Sequence, residues 1–285
     1  MVLFAVKRFR KLRKTGSQVM SVKYNIVADY VADLQSKGRY TFTRDEAQKA
    51  LSLSGLALKR SLERLSKKKS IVLVHRGFYI IVPLEYRARG ILPPEWFIRE
   101  LMQFMNLDYY VGLLSAAAIH GAAHQQPQEF DVVIPRFQRD IRIGSLSIRF
   151  FKKAHLLSTP VVETKTSTGF VRVSDPASTA IDLVAYEARI GGLSRVVTVL
   201  QELAEFLKAD AVVRATAAEK NIAPVQRLGY LLEKIGQRSL ASSLEEWVSS
   251  HHTRPAPLQP GISRKGSPRN PKWNILVNTD LEGDL

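Results

Sequence analysis

The sequence predicts an α+β fold in two parts, a small helical unit closed by a hairpin and then a larger mixed α/β domain with a helical C-terminal half. Three observations predict it. Residues 41–83 run in the order helix, turn, basic helix, hairpin. Strand-like runs gather between residues 130 and 173, and helical patterns dominate from Asp175 to residue 250. Charge is also divided unevenly. Of the net +16 over 285 residues, residues 1–90 hold 20 Lys+Arg against 6 Asp+Glu (+14), and residues 91–285 hold 22 against 20 (+2). An excess confined to one segment is the footprint of a nucleic-acid-binding domain joined to an ordinary globular one. A uniformly basic protein would not partition this way.

The chain contains no cysteine. A disulfide framework, a thiolate metal site and a Cys nucleophile are thereby excluded, and a reducing cytoplasm fits. No apolar run approaches the roughly 18 residues of a membrane span. Residues 1–20 carry six cations between Lys7 and Lys14. No apolar stretch follows them, so a signal peptide is not expected. Two readings remain for this segment: a disordered arm adding non-specific phosphate attraction, or a misplaced start with Met20 as the true initiator.

Residues 21–83 form the expected DNA-binding domain. From Val22 to about Lys37, apolar residues at 22, 26, 27, 30, 31 and 34 describe an amphipathic helix that Gly38 ends. Tyr40-Thr41-Phe42 reads as a short strand. Thr43-Arg44-Asp45-Glu46 is a capping box that opens the next helix, which ends near Leu51. Ser54 is placed to cap a second helix, Gly55 to about Lys68. That helix puts Leu58, Leu62 and Leu65 on one face and Arg60, Arg64 and Lys67 on another, with Lys59 beside them. An apolar run then meets a turn at Arg76-Gly77 and returns as Phe78–Val82, a hairpin signal. This order is that of a winged helix-turn-helix.

The chemistry follows from the order. A recognition helix fits the major groove with its N-terminal part at base edges, while the preceding helix crosses the backbone. Cations on the outer face neutralise phosphates. The expected DNA-contacting residues are Thr43, Arg44, Ser54, Lys59, Arg60, Arg64, Lys67 and Lys68, with His75 and Arg76 at the hairpin tip. The bland readings are a solvated basic face or a protein-docking winged helix; the charge partition favours DNA.

Residues 84–95, with Gly90, Pro93 and Pro94, read as a linker, and residues 96–285 as the second domain. A helix is expected from Glu95 to Met105, with Trp96, Phe97, Leu101 and Phe104 packing between domains, and another helix over Asp108–Gly121. Strands are expected at 130–135, 146–151, 169–173 and, more weakly, 161–165. Asp175 caps a helix with Pro176 at its first position, continuing to Arg189. Helices follow at 193–208, 210–219, 222–235 and 239–250. Residues 251–271 carry five prolines and read as extended. Residues 272–279 then form a terminal strand, apolar enough to dock on the body.

The basic winged helix, the YYVGLLSAAAIHG stretch (109–121), the VSDPASTAIDLV helix (173–184) and the terminal PKWNILVN strand (271–278) together resemble the AbiE-type (AbiEi) antitoxin family of bacterial abortive-infection toxin–antitoxin pairs. The resemblance runs over most of the chain from about Ser21. It implies a winged helix that binds inverted repeats in its own promoter and represses the operon. It implies a C-terminal domain that counters a nucleotidyltransferase-like toxin encoded next door, without a stable toxin complex. It supplies no catalytic constellation for residues 91–285, and typical members lack the basic residues 1–20. No cofactor or metal is expected.

Two enzyme-like constellations compete with that reading. His120 and His124 have the i, i+4 spacing of paired metal ligands, with Glu129 or Asp131 as third candidates. Position 121 is Gly where a zinc-protease motif needs Glu. Packing or capping at a helix end is therefore the expectation. Asp131 with Glu163 and Lys165 has the makings of a metal-dependent nuclease core, in which carboxylates hold Mg²⁺ and a lysine stabilises developing charge. A strand lysine beside a glutamate is more often a solvent-facing pair. A ligand-responsive transcription factor without an antitoxin role is a further alternative.

Overall fold

A computed structural model of the chain describes residues 19–122 and 129–281. Most of the basic segment 1–20, and His124, lie outside these described residues. The chain divides into two compact units, one up to Phe97 and one from Ile98.

The first unit runs α1 (Val19–Ser36), β1 (Thr41–Thr43), α2 (Arg44–Leu51), α3 (Gly55–Lys67), β2 (Ile71–His75) and β3 (Phe78–Ile81). Local chemistry sets each boundary. The Thr43 hydroxyl accepts the Glu46 N–H at 3.1 Å, and the Glu46 carboxylate accepts the Thr43 N–H at 3.2 Å, which completes the capping box. Ser52 ends α2 in the left-handed region at φ 50°. The Ser54 hydroxyl accepts the Ala57 N–H at 3.3 Å and starts α3. The Arg76-Gly77 turn, with Gly77 at φ 86°, joins β2 to β3. β1 adds to the other side of β3, giving an antiparallel sheet in the order β1-β3-β2. Val27, Val31 and Leu34 of α1 close over Ala47, Leu58 and Leu62, with Phe42, Ile71 and Ile81 beneath. Phe42 stacks on Tyr79 with ring centroids 5.3 Å apart.

Residues 84–95 are less plain than a linker. They hold a 3₁₀ turn at Leu84–Tyr86 and most of a second at Pro94–Trp96, and the Trp96 ring packs on Tyr86 and Tyr40 at 5.3 and 5.5 Å. Phe97, at φ −136°, is not helical, so the helix expected from Glu95 starts only at Ile98.

The second unit begins with α4 (Ile98–Phe104), β4 (Tyr110–Val111), α5 (Leu113–Ile119), β5 (Glu129–Ile134), β6 (Ile141–Ile143), β7 (Leu146–Lys152), β8 (Val161–Thr166) and β9 (Gly169–Ser174). The strands form one mixed sheet ordered β6-β7-β5-β4-β9-β8, in which β5–β7 and β4–β9 are parallel. Residues 108–121 are therefore not one helix. Tyr110 and Val111 are extended, Gly112 breaks the strand, and a Cβ there would lie 2.8 Å from a Val133 methyl. The small residues of α5 have the consequence their size suggests: Ser115 accepts the Asp131 N–H at 2.9 Å, so α5 lies directly on β5. Tyr110, Val133 and Phe151 are register partners across β4, β5 and β7, and they share one core with the helices that follow.

Those helices are α6 (Pro176–Ala185), α7 (Leu193–Leu203), α8 (Ala209–Ala217), α9 (Ile222–Lys234) and α10 (Arg238–Ser249). The Asp175 carboxylate accepts the Ser178 N–H at 2.7 Å, the predicted cap with Pro176 behind it. α6 stops at Ala185 and a 3₁₀ turn, Glu187–Arg189, carries the chain to Gly191-Gly192. The terminal segment is more ordered than an extended run. β10 (Ala256–Pro257), β11 (Arg269–Asn270) and β12 (Ile275–Leu276) form a small sheet with β12 in the middle. Its anchor is Trp273, fully buried, whose Nε1 donates to Glu233. Gln226 of α9 donates to the carbonyls of Trp273 and Asn274 at 3.0 and 3.2 Å, and Arg227 to that of Pro257 at 2.9 Å.

The Trp273 ring lies on Gly229 so closely that a Cβ there would approach it to 2.1 Å. Alanine favours a helix over glycine by about 1 kcal/mol. Overpacking against an immobile buried ring costs about 1–3 kcal/mol and should win. We expect Gly229→Ala to destabilise the protein by about 1 kcal/mol in urea unfolding and to expose Trp273 to fluorescence quenching. Unchanged stability and quenching would refute this seating of the terminal sheet.

Candidate nucleic-acid interface

The face expected to meet DNA is assembled on α3. Leu58 and Leu62 are buried, Leu65 is half-buried, and the opposite side presents Lys59, Arg60, Arg64 and Lys67, with Lys68 at the helix end; all five cations are exposed. A helix commits its apolar stripe to the core, and the spacing of that stripe fixes which side chains remain outside. Arg44 sits in the first turn of α2, near enough to the start of α3 that a Cβ on Gly55 would lie 3.6 Å from its guanidinium. The Arg44 N–H donates to the Gly77 carbonyl at 2.8 Å, which holds the start of α2 against the hairpin turn. Arg76 is exposed at that turn and His75 is half-buried. Thr43 and Ser54 have their hydroxyls engaged as helix caps, so their part is to position α2 and α3. Lys59 approaches Glu63 at 3.9 Å, an exposed pair of the kind that contributes little to stability.

Sequence reasoning passed over two residues here. Leu56, in the first turn of α3, is 60 % exposed, so an apolar group stands on the outer face at the end that would meet base edges. The signal was its absence from the Leu58/Leu62/Leu65 stripe. Arg39 pairs with Glu46 at 2.7 Å and so braces the capping box.

In the second unit the geometry separates what the sequence put together. α5 ends at Ile119 with His120 as its C-cap and Gly121 at φ 89°, and His124 lies outside the described residues. His120 Nε2 donates to the Ser174 carbonyl at 2.7 Å, a packing role. Asp131 lies on β5, whereas Glu163 and Lys165 lie on β8, with β4 and β9 between. Three strand spacings separate them, about 14 Å, too far for one metal ion. Asp131 is instead fully buried and bound by Arg149 through Nε at 2.8 Å and Nη2 at 2.7 Å. Glu163 and Lys165 are exposed on the edge strand. The nuclease centre is therefore not assembled, and among the described residues no group of three or more His, Asp or Glu is placed to hold a metal.

The buried charges form two knots. In one, Lys153 reaches Asp182 at 2.9 Å and also Glu219, while the Tyr110 hydroxyl donates to Asp182 at 2.7 Å. Burial alone would lower the Lys153 pKa, but the two carboxylates outweigh it and hold it above its ordinary value. Burial and the Asp182 charge push the Tyr110 hydroxyl well up. In the other knot, Arg149 joins Asp131 to Glu129 at 2.7 Å and donates to the Arg189 carbonyl at 3.0 Å. Burial pushes Asp131 up from 3.8 to about 6 in spite of Arg149.

The family model of the AbiEi antitoxin C-terminal domain matches residues 110–234, from β4 to the end of α9. Among solved structures, the chain is similar to one described as the crystal structure of the RV2827C protein from Mycobacterium tuberculosis. The two share 16 % sequence identity over 88 % of this chain and 90 % of that one, with a TM-score of 0.62. At that identity the likeness concerns the fold alone. No curated protein matches the chain. No helix among the described residues is long and apolar enough to cross a membrane.

The Asp131 shift has a consequence for stability. Between pH 3.8 and about 6 the folded protein binds more protons at this carboxyl than the unfolded chain does. Its contribution is thus full below pH 3.8 and is lost as pH rises through about 6. We expect the difference in Tm between the wild type and Asp131→Asn to change across pH 4–6, with the wild type losing relative stability as pH rises. A difference that stays flat over that range would contradict the shift.

Proposed function

We propose that this chain, whose residues 110–234 match the family model of the AbiEi antitoxin C-terminal domain, is both the antitoxin and the autoregulatory repressor of a bacterial abortive-infection operon. In this reading residues 21–83 are a winged helix-turn-helix. The helix pair α2–α3 enters the major groove of inverted promoter repeats, and the β2–β3 hairpin is the wing. The second domain counters a nucleotidyltransferase-like toxin encoded beside it, and a stable complex with that toxin is not required. The observation that carries the DNA half is the exposed row Lys59, Arg60, Arg64 and Lys67 set against the buried Leu58/Leu62 stripe of one capped helix. It stands in the segment that holds 20 of the chain's 42 Lys+Arg and only 6 of its 26 carboxylates. The family match carries the antitoxin half.

The division of labour within α3 follows from position. Arg60, near the N-terminal end, is placed for base edges, where a bidentate guanine contact contributes about 1–3 kcal/mol of discrimination. Lys67 and Lys68, at the far end, are placed for phosphates. Arg60→Ala with Arg64→Ala should abolish footprinting of the operator. Lys67→Ala with Lys68→Ala should keep sequence preference but make the slope of log K against log salt shallower by roughly 2. Operator binding that survives the arginine pair unchanged would mean that α3 is not the reader.

The antitoxin half is tested by growth. The neighbouring gene is induced alone, with the wild-type chain, and with the Arg60→Ala/Arg64→Ala chain. Rescue by both chains is expected, since neutralisation belongs to the second domain. Toxicity that the wild-type chain cannot relieve would reduce the protein to a DNA-binding regulator.

A further inference from the structure

The second unit carries a site that neither DNA reading nor the family match explains. The loop 135–140 leaves the carboxyl end of β5 and crosses to β6, and with the carboxyl end of β7 it encloses a cleft of about 300 Å³. Arg136, Arg139, Lys152 and Arg189 line it, against a single carboxylate, Asp140. That carboxylate is directed at the fold: it accepts the Phe150 N–H at 2.9 Å. Arg189 donates to the Phe150 carbonyl at 3.1 Å and lies over the Phe151 ring at 4.1 Å. Both walls are thereby pinned to one residue of β7, and the cleft is preformed.

Two features single this cleft out. The first is charge. Four cations of this near-neutral unit are matched by carboxylates: Arg149 with Asp131 and Glu129, Lys153 with Asp182 and Glu219, Arg214 with Asp210, Lys272 with Glu233 and Glu245. Arg136, Arg139 and Lys152 have no carboxylate partner among the described residues, and they converge on one cavity. The second is Phe137, a large aromatic ring left 78 % exposed between them. The fold gains nothing from exposing that ring, since apolar area left in water forgoes the stabilisation that burial would give.

Cations that converge on a cavity suit phosphate oxygens, and arginine suits them through paired N–H donors. An exposed aromatic ring among cations suits a nucleobase, which stacks whatever its identity. The carboxyl ends of parallel strands, here β5 and β7, are where open α/β sheets hold phosphorylated ligands. The volume is at the lower end of small-ligand pockets and matches one nucleotide. We infer that this cleft binds a nucleotide unit, with the phosphates on Arg136, Arg139, Lys152 and Arg189 and the base on Phe137. The unit is either a free nucleoside triphosphate or the exposed end of a single strand. The inference is independent of α3.

Binding is measured on the full chain carrying Arg60→Ala and Arg64→Ala, so that retention by the reading helix is reduced. The probes are fluorescent GTP and ATP analogues and, separately, a ten-nucleotide single-stranded RNA. The cleft substitutions Phe137→Ala, Phe137→Trp and the pair Arg136→Ala/Arg139→Ala alter exposed side chains, and circular dichroism checks their fold. We expect Phe137→Ala and the arginine pair each to weaken binding about tenfold, Phe137→Trp to retain it, and inorganic triphosphate to compete. Mononucleotide binding with this pattern identifies a soluble ligand; the same pattern with RNA alone identifies a strand end. Absence of both, or binding that the cleft substitutions leave unchanged, overturns the inference. Operator footprinting and growth rescue are scored separately, so neither result can be mistaken for the other.

Discussion

Asp182 is the residue on which the second domain turns. Taking a carboxylate out of water costs several kcal/mol unless partners replace the solvent. Asp182 is 1 % exposed in the middle of α6, a helix with every residue from Ala177 to Val184 buried. Its partners come from three directions: Tyr110 from the sheet, Lys153 from the end of β7, and through Lys153 the Glu219 carboxylate beyond α8. A helix buried on all sides has no amphipathic stripe to set its rotation. Here the charge sets it, because only one rotation brings Asp182 to both Tyr110 and Lys153. The pairing adds little net stability, but leaving any member alone in the core would be costly.

The same logic separates what the sequence made legible from what it did not. The capping box at Thr43, the cap at Ser54, the Arg76-Gly77 hairpin and the Asp175-Pro176 start are contacts between near neighbours, so their residues announce them. Trp273 as an anchor was legible as an apolar residue in a terminal strand. Its seat on Gly229 was not, because a helical glycine gives no sign of what lies over it. Helix 108–121 was misread because Tyr110 and Val111 are as good in an apolar helix as in a strand. The pairing of β4 with β5 and β9 decides between them, and that pairing is long-range. The nuclease constellation failed for a related reason. Asp131 and Glu163 both lie in strand-like runs, but which strands adjoin is a matter of sheet order, and β4 and β9 come between.

On the reading side, what the sequence displayed most clearly was a face. α3 needs only its own periodicity to set Leu58 and Leu62 inward and the cations outward, and the caps at Thr43 and Ser54 fix the turn between α2 and α3. Caps are modest in energy, about 1 kcal/mol each. Their value here lies in direction, since a helix that starts one residue late is rotated by some 100°. The residues that sequence reasoning grouped as DNA contacts therefore divide into two kinds: those that orient the helices and those that face outward.

The charge partition between the halves of the chain acquires a physical meaning from these arrangements. In the first unit Lys59, Arg60, Arg64, Lys67, Lys68 and Arg76 are exposed and spread along a surface, so any DNA affinity they confer must fall steeply with salt. In residues 91–285 the 22 Lys+Arg are nearly balanced by 20 Asp+Glu, and the domain's net field is weak at a distance. A cluster that escapes this matching, as at Arg136, Arg139 and Lys152, then acts only within about one Debye length, roughly 8 Å at physiological ionic strength. Such a site cannot steer a long polyanion from afar. It favours a ligand small enough to enter the cleft, or a strand end that can be threaded into it, over the length of a duplex. Under the proposed function, the two cationic regions would thus meet different anions, a duplex at α3 and a small anion or strand end at the cleft.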